Sequence, residues 1–297
     1  MLPAAAPADR VGLAWRGELA AGIFAHLERI DIVELIADDH FKAERKQLRA
    51  LDLLASQVPL SLHGVAMGLA GSEPTPAWRL DAMARLVDVL RPLYWSEHLA
   101  FVRAGGHEIG HLAAPPRTPR NVQAALRHIE SAACVVGSLP LLENIASLVQ
   151  PPGSPLSEPE WTRAIVQGSG APMLLDLHNL YANALNAGQD PLALLHAMPL
   201  AQVRAVHLSG GHWIAEPVLR PEQVPRQRLL DDHVHDVPEP VFALLEQLAA
   251  NPAVGALDVI IERDGGYPPF EALLAQMERA RAALARGRAA AMLQEAA

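Results

Sequence analysis

Short apolar segments alternate along the chain with longer stretches of helical period. The longer stretches, such as 43–57 and 118–137, have apolar residues at every third or fourth position, which is typical of amphipathic helices. Thr118 and Asp190 each precede a proline and mark helix starts, because proline suits the first position of a helix. The short segments are rich in Val, Ile and Leu and predict eight strands, at residues 11–16, 31–37, 58–64, 93–101, 139–145, 172–179, 203–210 and 258–264.

Strand and helix alternate eight times, and this order predicts a parallel sheet. Eight such units suggest that the sheet closes, so we predict an α/β fold of the TIM (β/α)8 barrel type, with a doubly wound open sheet as the alternative. The length of 297 residues suits a single barrel, and no break in composition marks a second domain. We therefore assign residues 1–275 to the barrel and residues 276–297, rich in Ala and Arg, to a C-terminal helix or tail.

Composition narrows the classes of function. The chain has 24 basic and 33 acidic residues, and a net charge of −9 argues against a sequence-independent nucleic-acid binder. No apolar run approaches the roughly 20 residues that cross a bilayer, and the first ten residues lack the features of a signal peptide, so we expect a cytoplasmic protein. The single cysteine, Cys134, excludes an intrachain disulfide and is expected to be a small buried residue of a helix.

The ends of the predicted strands carry the candidate chemistry, because the active sites of such barrels lie at the carboxyl ends of the strands. Glu34 belongs to the second strand, and Asp38, Asp39 and His40 follow it. Taken singly, each polar strand end is explained by an ordinary hydrogen bond. Together they would bury much negative charge around one barrel mouth, which is costly unless cations lie there. The later strands end with His63, His98, Glu143, Asp176, His178, Asn179, His207, Glu262 and Asp264.

These donors are imidazoles and carboxylates without sulfur, which favours iron, manganese or zinc over copper or an iron–sulfur cluster. Their number exceeds the needs of one ion, so we predict a site for two or three ions. The loop at 229–240 adds further donors: in an extended segment, Asp231, His233 and His235 would alternate onto one side. A solvated, charged loop is the alternative for this stretch. By contrast, His107 and His111 are expected in a surface hairpin.

Seven ordered motifs, spread over nearly the whole chain, resemble those of one family. They are SLHGV (61–65), SEHL (96–99), LLENI (141–145), MLLD followed by HNLYANA (173–184), VHLSGGH (206–212), DDHVHDVPEPVFALL (231–245) and IIERD (260–264). This pattern resembles the DUF692 family, the multinuclear non-haem iron-dependent oxidases, which includes the methanobactin-biosynthesis oxidase. The chain departs from the usual motifs of the family at four places. These are GLAWR (12–16), ELIADDHF (34–41), the extra glycine before His212, and His178, where many members have asparagine.

The resemblance implies a triosephosphate-isomerase-type barrel with two or three iron ions in mixed Fe(II) and Fe(III) states and with O2 as co-substrate. It implies oxidation of a residue, most often cysteine, in a ribosomally synthesised precursor peptide, and a small partner protein that delivers the peptide leader. Catalytic roles would fall to Glu143, as a bridging ligand, and to His178 and Asp231. The metal ligands carried over from the family are His63, His98, Glu143, Asp176, His178, His207, Asp231, His233 and Glu262.

Two other functions use the same residue types. The first is a zinc- or manganese-dependent hydrolase or isomerase, similar to the barrels of the endonuclease IV and xylose isomerase type. The second is a non-catalytic, peptide-binding scaffold in which the charged barrel mouth has no reaction to perform. Metal identity separates the first alternative from the iron enzyme, and an intact set of donors argues against the second.

Overall fold

The computed structural model describes residues 8–216 and 226–295. Residues 1–7, on which the expectation about a signal peptide partly rests, lie outside the described residues. The described strands are β1 (Arg10–Ala14), β2 (Val33–Ile36), β3 (Leu60–Gly64), β4 (Trp95–His98), β5 (Phe101–Ala104), β6 (His107–Ala113), β7 (Leu141–Glu143), β8 (Met173–Asp176), β9 (Val203–Leu208), β10 (Gly211–Ala215), β11 (Gln227–Asp231) and β12 (Asp258–Ile261). The described α-helices are α1 (Ala20–Ala25), α2 (Arg45–Ala55), α3 (Ala77–Leu90), α4 (Pro119–Val136), α5 (Glu158–Ser169), α6 (Leu177–Ala187), α7 (Pro191–Ala197), α8 (Glu239–Ala249) and α9 (Phe270–Glu295).

Eight strands form a closed parallel barrel in the order β1-β12-β9-β8-β7-β4-β3-β2. The predicted barrel is thereby confirmed, and the open-sheet alternative is wrong. The remaining strands form two antiparallel hairpins, β5–β6 and β10–β11, which follow β4 and β9 at the carboxyl end of the barrel. The expected surface hairpin around His107 and His111 is β6 with its partner β5. Both predicted helix starts are confirmed, because Thr118 and Asp190 cap α4 and α7.

Side chains alternate strictly between the two faces of the barrel strands, as the pleat requires. Outward-facing Leu35, Leu62, Leu175 and Val206 belong to the main core, which lies between the barrel and the helices around it. Inward-facing Leu174 and Ala205 belong to a separate small cluster inside the barrel. The positions two residues further along each strand continue this inward face, so an apolar layer inside the barrel is followed by a polar carboxyl end. The polar inward positions at this end include Glu34, Ser61, His63, His98, Glu143, Asp176, His207 and Glu262.

The sixth predicted strand is too long at its carboxyl end. β8 stops at Asp176, and α6 begins at Leu177. Asp176 caps this helix, since its Oδ1 accepts a hydrogen bond from the backbone N–H of Asn179 at 2.6 Å. His178 and Asn179 therefore project from the first turn of a helix and do not alternate along a strand.

The C-terminal helix α9 runs unbroken from Phe270 to Glu295, so the boundary proposed between residues 275 and 276 falls within it. Its buried side chains Leu273, Met277 and Leu284 pack in the main core, which also contains residues of β1, β12 and α8. Within the described parts of the chain, no helix combines the length and apolar character that a membrane crossing needs.

Cys134 is exposed, so the expectation that it is buried is wrong. On α4 the buried positions include Ile129, Ala132 and Val136, which recur every three or four residues. Cys134 lies between the last two of these and faces away from the barrel. The apolar neighbours in sequence had suggested burial, whereas the helical phase decides it.

Gly12 in β1 leads to a prediction about stability. A Cβ at this position would lie 1.8 Å from the backbone oxygen of Ile32, and backbone of a closed barrel cannot move aside without breaking its pairing. We expect Gly12→Ala to lower the free energy of unfolding by about 3 kcal/mol or more. Gly17→Ala is the matched control, because nothing lies within 4 Å of its Cβ position. Urea denaturation midpoints measure both, and equal midpoints for the two variants would contradict the prediction.

Candidate metal centre

Glu143, the last residue of β7, lies at the centre of the polar barrel end. Its Oε2 lies 3.3 Å from the Nε2 atom of His63 and 3.3 Å from the Nε2 atom of His98. Its Oε1 lies 3.2 Å from Nδ1 of His207. All four side chains are buried, and Oε2 has no hydrogen-bond partner. Three imidazoles from β3, β4 and β9 thus surround one carboxylate from β7.

The histidines beside Glu143 are oriented by contacts on their other ring nitrogen. His63 Nδ1 lies 2.8 Å from the hydroxyl of Ser96, and His98 Nδ1 lies 3.2 Å from the carbonyl oxygen of Gly64. These contacts leave Nε2 of each ring facing the carboxylate. Histidines that bind metals are usually held in this way by an outer partner on the second nitrogen.

A second group of donors also includes Glu143. One donor atom each from Glu143, Asp176, His207 and Glu262 lies within 4.8 Å of the others. His207 Nδ1 is 3.1 Å from Oε2 of Glu262. Asp176 Oδ2 is buried and has no partner, while the other oxygen of this carboxylate caps α6. The two groups therefore share a carboxylate that has two oxygens available on different sides.

Unpaired buried atoms test whether these residues fit metal ions. A buried polar atom without a partner typically costs about 1–3 kcal/mol, so several in one place call for a physical reason. His207 Nε2 and Glu34 Oε1 are only 2.8 Å apart, yet neither atom makes a hydrogen bond. Donors that face a common space without bonding each other fit cation coordination. The buried, unpaired atoms of residues at this end of the barrel are Glu34 Oε1, Glu143 Oε2, Asp176 Oδ2, His178 Nε2, Asn179 Oδ1, His207 Nε2 and His233 Nε2.

Asp231, the last residue of β11, brings further donors to the same end of the barrel. Its Oδ1 lies 2.8 Å from His178 Nδ1 and accepts a hydrogen bond from the Ser209 hydroxyl at 3.1 Å. Its Oδ2 lies 2.8 Å from His233 Nε2. His233 has a φ of 56°, which is unusual for a residue with a side chain and turns the chain sharply after the strand. This turn directs His233 towards the barrel, where its Nδ1 lies 3.7 Å from Glu262.

The expected extended segment from Asp231 to His235 is therefore wrong. Because the chain turns at His233, His235 does not continue onto the inner side with the other two. Its Nδ1 contacts the carboxylate of Asp232 at 2.9 Å, and its side chain is 51% exposed. His212 contacts the same carboxylate from β10.

Two residues at the site were not among the expected ligands. Asn179 has a buried, unpaired Oδ1 and lines the cavity above Glu143, while its Nδ2 donates to the carbonyl oxygen of Asn144 at 3.2 Å. Glu34 lies fully buried beside His207. The inward phase of β2 could have identified Glu34, whereas Asn179 required knowledge of where α6 begins. His178 was expected as a metal ligand, but its Nδ1 contacts Oδ1 of Asp231.

A cavity of about 280 Å³ opens above these donors. His63, His98 and Glu143 form its floor, and apolar residues such as Ile36, Val65, Leu112 and Ile145 line its walls. Arg16 and Asp264 lie at its rim and are joined by a hydrogen bond of 2.9 Å. Binding sites for drug-sized molecules usually have about 300–1,000 Å³, so this cavity suits a small group such as one side chain. A larger groove beside α5 and α6 contains none of the predicted site residues.

Burial and neighbouring charges shift the pKa values of the central groups in opposite directions. Burial lowers the pKa of His207, but carboxylates led by Glu262 outweigh it, so the net pKa is raised well above its ordinary value. Burial likewise lowers the pKa of His98, and Glu143 is the main group that raises it to about 9. Burial raises the pKa of Asp176, and the carboxylates near it raise this pKa further, so that it lies well above its ordinary value. Protons thus balance the charges of this site when no cation does.

Comparison with known proteins shows which family this chain resembles. Residues 10–285 match the model of a family described as RiPP precursor modification enzyme MbnB/TglH/ChrH. A UPF0276 protein of Streptomyces avermitilis is 32% identical over 264 residues, which are 86% of this chain and 51% of that protein, so the chain spans about half its length. A UPF0276 protein of Bordetella bronchiseptica is 31% identical over 289 residues, which are 97% of each chain.

Solved structures of similar fold include endonuclease IV from Thermus thermophilus. The TM-score is 0.57, and the match covers 93% of this chain and 99% of that one. The sequence identity is only 15%, so this similarity concerns the barrel fold alone.

The raised pKa of His98 leads to a prediction for the metal-free protein. Because the folded-state pKa of about 9 exceeds the ordinary value of 6.5, the proton on His98 stabilises the fold fully below pH 6.5, and this stabilisation is lost as the pH rises through 9. We expect the melting temperature to fall over this window, by an amount that corresponds to about 3 kcal/mol. His98→Gln should fall less steeply, and His107→Gln, at an exposed position, should behave as wild type. An unchanged slope in His98→Gln would contradict the prediction.

Proposed function

Because the chain belongs to the family of RiPP precursor modification enzymes, we propose that it is a multinuclear non-haem iron oxidase that uses O2 to modify a cysteine residue of a ribosomally synthesised precursor peptide. The observation that carries this proposal is the position of Glu143. Among the described residues it lies in two of the three buried groups of donors, one with His63 and His98 and one with Asp176, His207 and Glu262. A carboxylate shared in this way is suited to bridge two cations.

Each ion has its own proposed ligands. His63, His98 and Glu143 would bind the first, and Glu143, Asp176, His207 and Glu262 the second. Asp231 and His233 would bind a third, with Asn179 as the additional oxygen donor, because its Oδ1 is buried and unpaired and all three residues line the same cavity. Nitrogen and oxygen donors without sulfur suit iron, and the family resemblance supports iron in mixed Fe(II) and Fe(III) states.

The residues around the ions would have separate roles in the reaction. Bound iron would supply the site at which O2 binds, and O2 would accept the electrons that the peptide loses on oxidation. Asp231 stays ionised, because the neighbouring imidazoles of His178 and His233 outweigh its burial and lower its pKa to about 2. We propose that His178 positions this carboxylate and that Asp231 and Glu143 contact the reacting groups. The apolar walls formed by Ile36, Val65 and Leu112 exclude water from the cavity.

The substrate would enter as a single side chain, since the cavity of about 280 Å³ leaves no room for a folded peptide. The rest of the peptide would lie along the rim, where the β5–β6 and β10–β11 hairpins stand beside the barrel mouth. We include in the proposal a small partner protein that holds the peptide leader, on the support of the family resemblance.

Metal content and O2 consumption test this function. Protein purified without oxygen should contain two or three iron ions per chain and consume O2 with a short cysteine-containing peptide encoded beside its gene. His98→Ala should lower the iron content and should reduce the rate of O2 consumption by more than about 100-fold. Loss of a residue that binds the metal directly costs more than loss of a residue that only orients such a ligand. His196→Ala, at an exposed position of α7 away from the barrel mouth, is the control. Bound zinc or manganese without O2 consumption would favour the hydrolase or isomerase alternative, and peptide binding without any metal would favour the scaffold.

A paired substitution tests the ligands of the third ion. Asn179→Ala should lower the iron content by one ion per chain, because it removes the unpaired oxygen of a residue that lines the cavity. His178→Ala should retain that ion but weaken its binding by about 10- to 100-fold, which is typical for the loss of an outer partner of a ligand. Iron analysis at several free-iron concentrations measures the difference. The reverse order, with the larger loss in His178→Ala, would assign the ligand role to His178.

A further inference from the structure

A second cluster of metal-binding side chains lies outside the barrel, at the base of the β10–β11 hairpin. His212 from β10 and Asp232 and His235 from the segment after β11 each offer a donor atom, and these atoms lie within 4.8 Å of one another. The side chains of His212 and His235 are 44% and 51% exposed, whereas the donors of the barrel centre are buried. The cluster is therefore open to ions in bulk solvent.

The carboxylate of Asp232 joins the two imidazoles. His212 Nδ1 lies 2.5 Å and His235 Nδ1 2.9 Å from its Oδ2. The two rings are 5.3 Å apart between centroids and inclined by 40°, so both present the same nitrogen to one point. The backbone N–H of Val234 donates to Oδ1 of Asp232 at 3.0 Å and fixes the carboxylate, whose side chain is only 14% exposed. The donors are thus held in place before any ion binds.

We propose that His212, Asp232 and His235 form a peripheral site for a divalent cation of borderline softness, such as Zn²⁺. Two imidazole nitrogens and one carboxylate oxygen are three protein ligands, and water would complete a tetrahedron, as in open zinc sites. Without the cation, each Nδ1 carries a proton that it donates to Asp232. On binding, the ring proton is carried on Nε2, and the Nδ1 lone pair faces the ion.

The segment that carries this site has two faces. Asp231 and His233 face the barrel, while Asp232 and His235 face outward. The carbonyl oxygen of Gly210 accepts hydrogen bonds from the backbone N–H groups of His233 at 3.1 Å and Asp232 at 3.4 Å, so the hairpin already touches this segment. A cation bound between His212 and the other two ligands would fasten the hairpin to it. On the proposed function, the same segment supplies two ligands of the barrel centre.

Zinc alone is the probe for this site. Iron-loaded, full-length protein is equilibrated with Zn²⁺ and freed of excess ion, and zinc and iron are then measured in the same sample. Wild type should hold one zinc ion per chain beyond any that replaces lost iron. His212→Ala and His235→Ala should each weaken its binding by more than about 100-fold, since removal of a ligand exceeds the loss of an outer partner. His107→Ala, an exposed histidine of the other hairpin, should bind zinc as wild type does.

Each outcome decides the proposal. Zinc uptake that is equal in wild type, His212→Ala and His235→Ala would overturn it, as would a wild type that takes up no extra zinc. Both substituted side chains are about half exposed, so a stability change within about 0.5 kcal/mol is expected and misfolding does not confuse the result. Zinc uptake that depends on these histidines supports the site even if the barrel holds no iron, so the peripheral site and the proposed function can fail separately.

Discussion

The carboxylate of Glu143 is the group on which the geometry of the barrel mouth depends. It is buried among His63, His98 and His207, which three different strands bring to it. Because a buried charge is costly without compensation, the surrounding imidazoles must either carry protons or bind cations together with it. The raised pKa values of His98 and His207 show the first state. The unpaired oxygen of Glu143 and the shared donor groups fit the second.

Most of the fold could be predicted from the sequence, because parallel barrel strands are buried on both faces and appear as short apolar runs. All eight barrel strands lie at the predicted places and in the predicted order. The end of β8 could not be predicted, since Met173 to Asn179 contains both apolar and polar residues that suit either a strand or the start of a helix. Only the cap formed by Asp176 on Asn179 decides between them.

The candidate site was predictable where strand phase determines it and not where single backbone angles do. His63, His207 and Glu262 follow from alternation along their strands, and Glu34 could have been placed by the same rule. The separation of His233 from His235 depends on a left-handed residue, which no periodicity reveals. Similarly, the family resemblance pointed to His178, while the first turn of α6 brings its neighbour Asn179 to the cavity.

Asp176 connects the occupancy of the site with the start of a helix. One of its oxygens accepts the backbone N–H of Asn179, and the other faces the donors around Glu143. A cation that draws electron density from this carboxylate makes it a poorer acceptor for the amide. The amide proton of Asn179 is thus a natural spectroscopic reporter. Its NMR resonance and its exchange with solvent would show whether metal is bound in the barrel, without any label in the cavity itself.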